Sequence, residues 1–109
     1  MKQFDIFIAY ISWGVEGKRR PVLVYTLGNG FVKIFPITTR YNNKSKVIQS
    51  RYYKIIDFLQ AGLDIQSYVD TGTRIKLPSS VFDNLNPTGR LTKFDKQRLV
   101  EFLSKEKYY

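Results

Sequence analysis

The stretch that decides the fold runs from Pro21 to Thr38 and has the sequence PVLVYTLGNGFVKIFPIT. Its first five residues form a continuous apolar run, which is typical of a strand buried on both faces. The segment Leu27-Gly28-Asn29-Gly30 then predicts a tight turn, and Phe31–Thr38 is a second β-prone run. Two strands joined by such a turn predict a β-hairpin at the centre of the protein.

Further strands are predicted on both sides of this hairpin. Apolar residues alternate along Phe4–Tyr10, with the period of a strand. Downstream, Arg40–Lys54 is expected to hold a loop and at least one strand. The segment Ser67–Leu77 predicts another strand, which Pro78-Ser79-Ser80 ends.

Two helices complete the expected architecture. Asp57 is suited to cap a short helix over Phe58–Ala61, which Gly62 would end. Near the end of the chain, Thr92 followed by Asp95 resembles a capping box, and the helix behind it places Leu99, Phe102 and Leu103 on one face. About five strands with helical cover predict a mainly β (α+β) fold, a small antiparallel β-barrel with a short connecting helix and a C-terminal helix.

Composition restricts the kind of protein and the chemistry. The chain has 109 residues, which predicts a single domain spanning 1–109. Its longest uncharged runs, Ile6–Val15 and Pro21–Val32, are shorter than a membrane-spanning helix, so no membrane association is expected. Cysteine is absent, as is common in cytoplasmic proteins, and histidine is absent too. The chain therefore has none of the residues for thiol chemistry, for Ser-His catalysis or for the usual zinc sites.

Charge is distributed unevenly along the chain. The net charge is +9, and residues 1–56 hold ten basic and two acidic residues. Such a basic half indicates a phosphate-rich partner, although a merely solubilising surface would have the same composition. The acids Asp57, Asp64 and Asp70 match no metal-binding loop, so no metal site is expected.

The cations Lys18, Arg19 and Arg20 stand directly before the buried strand. Pro21 disfavours helix at the residue before it, so the Arg20 guanidinium is expected at the start of that strand. From its residues alone this segment is equally compatible with a solvated basic turn.

Four motifs, in order along the chain, resemble those of the MazF/PemK family of toxin endoribonucleases. The first, Gly17-Lys18-Arg19-Arg20-Pro21-Val22-Leu23-Val24, is similar to the family's G-x-x-R-P-x-L-V segment. The other three are Pro36-Ile37-Thr38-Thr39, then Gly62-Leu63 with Ser67-Tyr68-Val69, and finally Gly89-Arg90-Leu91-Thr92-Lys93-Phe94-Asp95.

The resemblance implies an SH3-like barrel that forms a homodimer, and the toxin of a type II toxin-antitoxin system. Such toxins cleave single-stranded RNA without metal or cofactor, leaving a 2′,3′-cyclic phosphate and a 5′-hydroxyl. Arg20 and Thr38 match the family's catalytic pair, and Glu16 is a candidate general base. The partners implied are single-stranded mRNA and a small acidic antitoxin, in the cytoplasm. The residues expected to contact RNA are Lys18, Arg19, Thr39, Arg40, Lys44 and Lys46.

Two alternatives remain open at the level of sequence. One is a barrel that binds nucleic acid electrostatically without cutting it. The other is a poison of DNA gyrase similar to CcdB, which shares the barrel architecture and acts through its C-terminal residues. The Arg20 and Thr38 motifs favour the ribonuclease, while RNA cleavage itself would separate the three.

Overall fold

The computed structural model describes residues 1–13 and 16–106. In this part of the chain the strands are β1 (Asp5–Trp13), β2 (Glu16–Gly28), β3 (Phe31–Thr38), β4 (Tyr52–Lys54), β5 (Tyr68–Asp70), β6 (Ile75–Pro78) and β7 (Gly89–Arg90). The helices are α1 (Lys46–Gln49) and α2 (Lys93–Glu106), with a 3₁₀ turn at Ser79–Phe82. The described strands thus number seven, where the sequence predicted about five.

All the strand pairs are antiparallel, and the sheet curls around β3. Strands β1, β2 and β3 are consecutive neighbours, and β7 adds to the free edge of β1. The other edge of β3 pairs with β6 near its start and with β5 near its end. Strand β4 extends the sheet beyond β5. This topology, with α2 at the C-terminus, confirms the predicted mainly β fold.

The predicted central hairpin is present. Gly28 pairs with Phe31 across a two-residue turn, in which Asn29 and Gly30 have φ values of 49° and 82°. Positive φ at both positions is what a type I′ hairpin turn needs, and it explains the Asn-Gly dipeptide. Val22 to Val24 are fully buried, so β2 is covered on both faces as predicted.

The two faces of β2 contribute to separate apolar clusters. Leu23 packs with Ile6, Phe35 and the α2 residue Leu99. Its neighbours Val22 and Val24 join a second cluster, which also contains Phe7, Ala9, Val32, Ile34 and Phe82. Because successive strand residues point to opposite faces, a single β2 connects both clusters.

The prediction of a short helix at Phe58–Ala61 is wrong. This segment forms turns, and the connecting helix is α1. The backbone N–H groups of Ile56 and Asp57 donate to the Asp95 carboxylate, and the Asp57 carboxylate accepts from Thr92 Oγ1. These long-range bonds hold the segment in a turn.

The capping box at α2 is present only in part. The backbone N–H of Asp95 donates to Thr92 Oγ1 at 3.3 Å, as predicted. However, the Asp95 carboxylate is fully buried and accepts from the Tyr53 hydroxyl at 2.5 Å, besides the two turn N–H groups. Asp95 therefore ties β4, the following turn and α2 together.

The single strand predicted at Ser67–Leu77 is divided into β5 and β6. Between them the Asp70 carboxylate accepts from the backbone N–H of Gly72 at 3.0 Å and from Thr73 Oγ1 at 2.8 Å. A side chain that hydrogen-bonds to the backbone two residues later makes a turn, so the strand stops at Asp70.

Two glycines of the sequence motifs are explained by packing. A Cβ at Gly89 would lie 1.8 Å from the carbonyl oxygen of Ala61, and one at Gly62 would lie 2.6 Å from that of Thr88. Gly62 also has a φ of 89°, which L side chains rarely adopt. Both glycines let the turn after Asp57 approach β7 closely.

Candidate nucleic-acid interface

The hairpin places Arg20 and Thr38 on one face of the sheet. The β2–β3 register ends with Val22 paired to Pro36, and Arg20 and Thr38 lie two residues beyond this pair on their own strands. Both side chains are half-buried. Residues two apart on a strand share a face, so Lys18 lies on this face as well.

The Thr38 hydroxyl is oriented by its own loop. The backbone N–H of Arg40 donates to Thr38 Oγ1 at 3.1 Å. This bond uses an oxygen lone pair and leaves the hydroxyl proton available for donation. Thr38 thus offers a hydrogen-bond donor at the end of β3.

Strands β5 and β4 extend the same face beyond Thr38. Tyr68 is the direct partner of Thr38, and Tyr52 is the partner of Asp70. The side chains alternate, because Val69 and Tyr53 are buried in the core whereas Tyr52, Tyr68 and Asp70 are half-buried. We call the surface formed by Arg20, Thr38, Tyr52, Tyr68 and Asp70 the outer face.

The Tyr52 hydroxyl lies within electrostatic range of two charged groups of the outer face. Burial raises the pKa of the Tyr52 hydroxyl, and the negative charge of Asp70 raises it further. The positive charge of Arg20 lowers the same pKa. A tyrosine hydroxyl is protonated at neutral pH with or without this shift, so Tyr52 is an uncharged hydrogen-bond donor there.

Three tyrosine rings, those of Tyr41, Tyr52 and Tyr68, lie next to one another. Tyr41 and Tyr68 are stacked, with ring centroids 4.4 Å apart and an angle of 6° between the planes. The Tyr52 ring lies 6.3 Å from that of Tyr41 and 6.5 Å from that of Tyr68. Aromatic rings therefore border the half-buried Arg20 and Thr38.

The other residues predicted to contact RNA are divided between two places. Thr39 and Arg40 follow β3 directly and are exposed, and Lys44 and Lys46 lie in the loop before α1 and in its first turn. Arg19, by contrast, is the strand partner of Tyr10 and points to the face opposite Arg20. The side chain of Glu16 lies outside the described residues.

Sequence reasoning missed Asp70, Tyr52 and Tyr68 as members of the site. The tyrosines were visible within or near a basic segment, but their faces depend on the pairing of β4 and β5 with β3. The sequence predicts no role for Asp70, which matches no metal-binding loop. The available signal was the alternation in Tyr68-Val69-Asp70, where the apolar residue is flanked by two polar ones.

A second cationic surface lies elsewhere, around a cavity of about 230 Å³ between β2, β3 and β6. There Lys76 Nζ lies 4.4 Å from the centroid of the Phe31 ring, and the Arg74 guanidinium lies 5.8 Å from that of Phe35. These cations already interact with aromatic rings of the protein.

No group of three acidic side chains within 1–13 and 16–106 is arranged to hold a metal ion. Over the same ranges, no helix has the length and apolar character needed to cross a membrane.

Comparison with known proteins shows the fold. The structure is similar to that of the Mycobacterium tuberculosis toxin MazF-mt6, with a TM-score of 0.69 and 22% sequence identity over 93% of each chain. No protein-family model matches the sequence, and no curated protein matches it. The chain therefore has the fold of a MazF toxin, and the resemblance seen in the sequence motifs is confirmed at the level of the fold.

Proposed function

We propose that this protein is the toxin of a type II toxin-antitoxin system, a metal-independent endoribonuclease that cleaves single-stranded mRNA. The observation that carries the proposal is that Arg20 and Thr38 share the outer face, each two residues beyond the last β2–β3 pair, within a fold shared with a MazF toxin. The whole chain, 1–109, would act as one toxin domain.

The reaction we propose is attack of a ribose 2′-oxygen on the adjacent phosphorus. The products are a 2′,3′-cyclic phosphate and a 5′-hydroxyl. Negative charge builds up on the non-bridging oxygens in the transition state, and the planar Arg20 guanidinium can donate two hydrogen bonds to them. The Thr38 hydroxyl donates a further bond to the same phosphate.

Proton transfer needs a base for the 2′-hydroxyl and an acid for the departing 5′-oxygen. Arg20 is unsuited as a base because a guanidinium stays protonated in proteins, but it can protonate an alkoxide. Asp70 is a carboxylate on the outer face, held by Gly72 and Thr73. We propose Asp70 as the base, with Glu16 as the alternative.

The RNA backbone would follow the cations around the outer face. Lys18 lies on the same face as Arg20, and Arg40, Lys44 and Lys46 lie on the segment that leaves Thr38. Thr39 and Arg19 complete the proposed contacts, and Arg19 is the least well placed because it points to the opposite face. Such contacts bind any sequence, so base recognition must come from other groups.

The proposed partners follow from the same resemblance. A small acidic antitoxin would neutralise the proposed RNA groove, formed by the outer face and the cations around it, and the toxin would act in the cytoplasm, where mRNA is found. We also propose a homodimer. Ile8 and Tyr10 are 37% and 60% exposed on the side of β1 opposite the Phe7 cluster, and exposed aromatic and aliphatic side chains favour association.

The test is incubation of a long RNA with the purified protein in EDTA, followed by analysis of the ends. We expect cleavage that survives the chelator, with cyclic phosphate and 5′-hydroxyl ends. Cleavage that requires a divalent ion, or ends with a 5′-phosphate, would refute the mechanism. An absence of cutting in RNAs of varied sequence would favour the non-catalytic binder or the gyrase poison.

A further inference from the structure

The cleavage chemistry proposed above uses no aromatic group at the phosphate, yet three tyrosines lie beside it. Tyr68 is the strand partner of Thr38, and the Tyr52 hydroxyl lies within electrostatic range of the Arg20 charge. Tyr41 stacks on Tyr68 from the loop that follows β3. We call Tyr41, Tyr52 and Tyr68 the tyrosine platform.

Core packing does not account for this cluster. The core face of the same strands is closed by Ile37, Val69 and Tyr53, which are 2%, 0% and 7% exposed. The platform rings are half-buried on the side away from that core, and the positive charge of Arg20 acts on Tyr52. A partly exposed aromatic surface bordered by positive charge is the usual arrangement for stacking the bases of a single strand.

Local structure holds the platform in place before any ligand arrives. The Gln49 side-chain amide donates to the carbonyl oxygen of Tyr41 at 2.9 Å, and the backbone N–H of Lys44 donates to the same oxygen at 3.1 Å. Gln49 belongs to α1, which Ser45 caps and which has no buried residue. The helix therefore contributes no core residue but fixes the loop that places Tyr41 on Tyr68.

We propose that the tyrosine platform stacks a nucleobase next to the scissile phosphate. The location relative to cleavage rests on the proposed function, whereas the stacking itself does not. Every base has an aromatic face, so the platform would bind RNA with little sequence preference and set which phosphate reaches Arg20 and Thr38. Tyr41 acts here as a positioning residue that holds the RNA strand by stacking on one of its bases.

The experiment uses fully 2′-O-methylated RNA, which lacks the attacking hydroxyl, with 2-aminopurine at successive positions. Stacking on an aromatic ring quenches this fluorescent base, so we expect quenching at one or two positions on binding to the wild type. Tyr41→Leu should abolish the quenching and weaken binding roughly 5- to 150-fold, the range for loss of one stacked base. Tyr41→Phe retains the ring and should behave like the wild type.

Two further variants make the test specific. Phe94→Leu removes an exposed ring on α2, away from the outer face, and should change neither quenching nor affinity. Gln49→Ala removes the bond to the Tyr41 carbonyl and should reduce quenching while the platform rings remain. If Tyr41→Leu proves unfolded by circular dichroism, Tyr52→Leu provides the same comparison.

The outcomes separate the platform from the cleavage activity. Quenching that survives Tyr41→Leu and Tyr52→Leu would overturn the platform, as would a wild type that cuts RNA without quenching any position. Quenching by a wild type that cuts no RNA would support the platform and refute the endoribonuclease.

Discussion

Tyr52 and Tyr53 are consecutive residues with the same side chain, and the structure gives them opposite surroundings. Tyr53 is buried, and its hydroxyl donates to the buried Asp95 carboxylate. Tyr52 is half-buried on the outer face, between the charges of Arg20 and Asp70. One residue in a strand thus holds the fold together while its neighbour faces the candidate site.

The comparison shows how a small chain separates stability from function. Alternation in β4 and β5 directs every second side chain into the core, and the intervening positions are left for a ligand. Changes on the core face should therefore alter the free energy of unfolding, and changes on the outer face should alter RNA binding or cleavage. The predictions below test this separation.

The largest effect is expected at Asp95. Asp95→Ala would leave the Tyr53 hydroxyl and the N–H groups of Ile56 and Asp57 without their acceptor. Leaving one buried and two part-buried donors without this charged acceptor should lower the free energy of unfolding by about 3–5 kcal/mol, measured by urea denaturation. The exposed acid Asp64 is the control, and Asp64→Ala should change stability by less than about 0.5 kcal/mol. Equal effects of the two substitutions would contradict the account.

A smaller loss of stability is expected when the two tyrosines are compared directly. Tyr53→Phe removes a bond to a charged group and should cost about 1.5–3 kcal/mol, whereas Tyr52→Phe should cost much less. Denaturation of the two variants in parallel measures the difference. If Tyr52→Phe lowered the free energy of unfolding as much as Tyr53→Phe, the outer face would also be maintaining the fold.

The pH dependence checks the same bond. Burial, followed by the Asp95 hydrogen bond, raises the pKa of Tyr53 above its usual value near 10. The folded state therefore holds this proton more tightly than the unfolded chain does. The resulting stabilisation is complete below about pH 10 and is lost as the pH rises above it. In Tyr53→Phe, this contribution to the loss of stability at alkaline pH should be absent when the free energy of unfolding is measured as a function of pH.

Salt dependence tests the cations around the outer face. Each phosphate neutralised on single-stranded RNA contributes about −0.7 to the slope of log affinity against log salt, so three to five contacts predict roughly −2 to −3.5. Fluorescence anisotropy with labelled RNA at several salt concentrations measures this slope. An affinity that is independent of salt would refute the proposed groove.

The smallest effect is a difference in salt dependence between variants of Lys18 and Arg19, two consecutive residues of β2. Lys18→Ala should reduce the size of the salt slope by about 0.7, the contribution of one phosphate contact. Arg19→Ala should reduce it less, because Arg19 pairs with Tyr10 on the other face. A larger reduction for Arg19→Ala would place the RNA on that opposite face.

Much of the fold could be predicted because its signals are local. The β2–β3 hairpin is marked by an apolar run and an Asn-Gly turn, and α2 is marked by Thr92 and the spacing of Leu99 and Leu103. Arg20 and Thr38 could be named because each lies in a short motif that resembles a known family.

The rest depends on contacts between distant parts of the chain. The turn after Asp57 forms because Asp95 takes its N–H groups, 38 and 39 residues away in sequence. Helix α1 buries no residue, so no apolar period marks it. The outer face needs β4 and β5 in register with β3, which the sequence of these three-residue strands does not specify.

The central claim is that the outer face cleaves RNA through Arg20. Single-turnover cleavage of an RNA with a mapped cut site tests it, with binding to a 2′-O-methylated copy measured in parallel. Arg20→Lys keeps the charge but loses the two-pronged donor, so it should bind nearly as tightly and cut about 10²–10³ times more slowly. Thr38→Val should also slow cleavage. Arg98→Lys, on the exposed surface of α2, is the control and should change neither binding nor the cleavage rate. If Arg20→Lys cleaved the RNA as fast as the wild type does, the account would be contradicted.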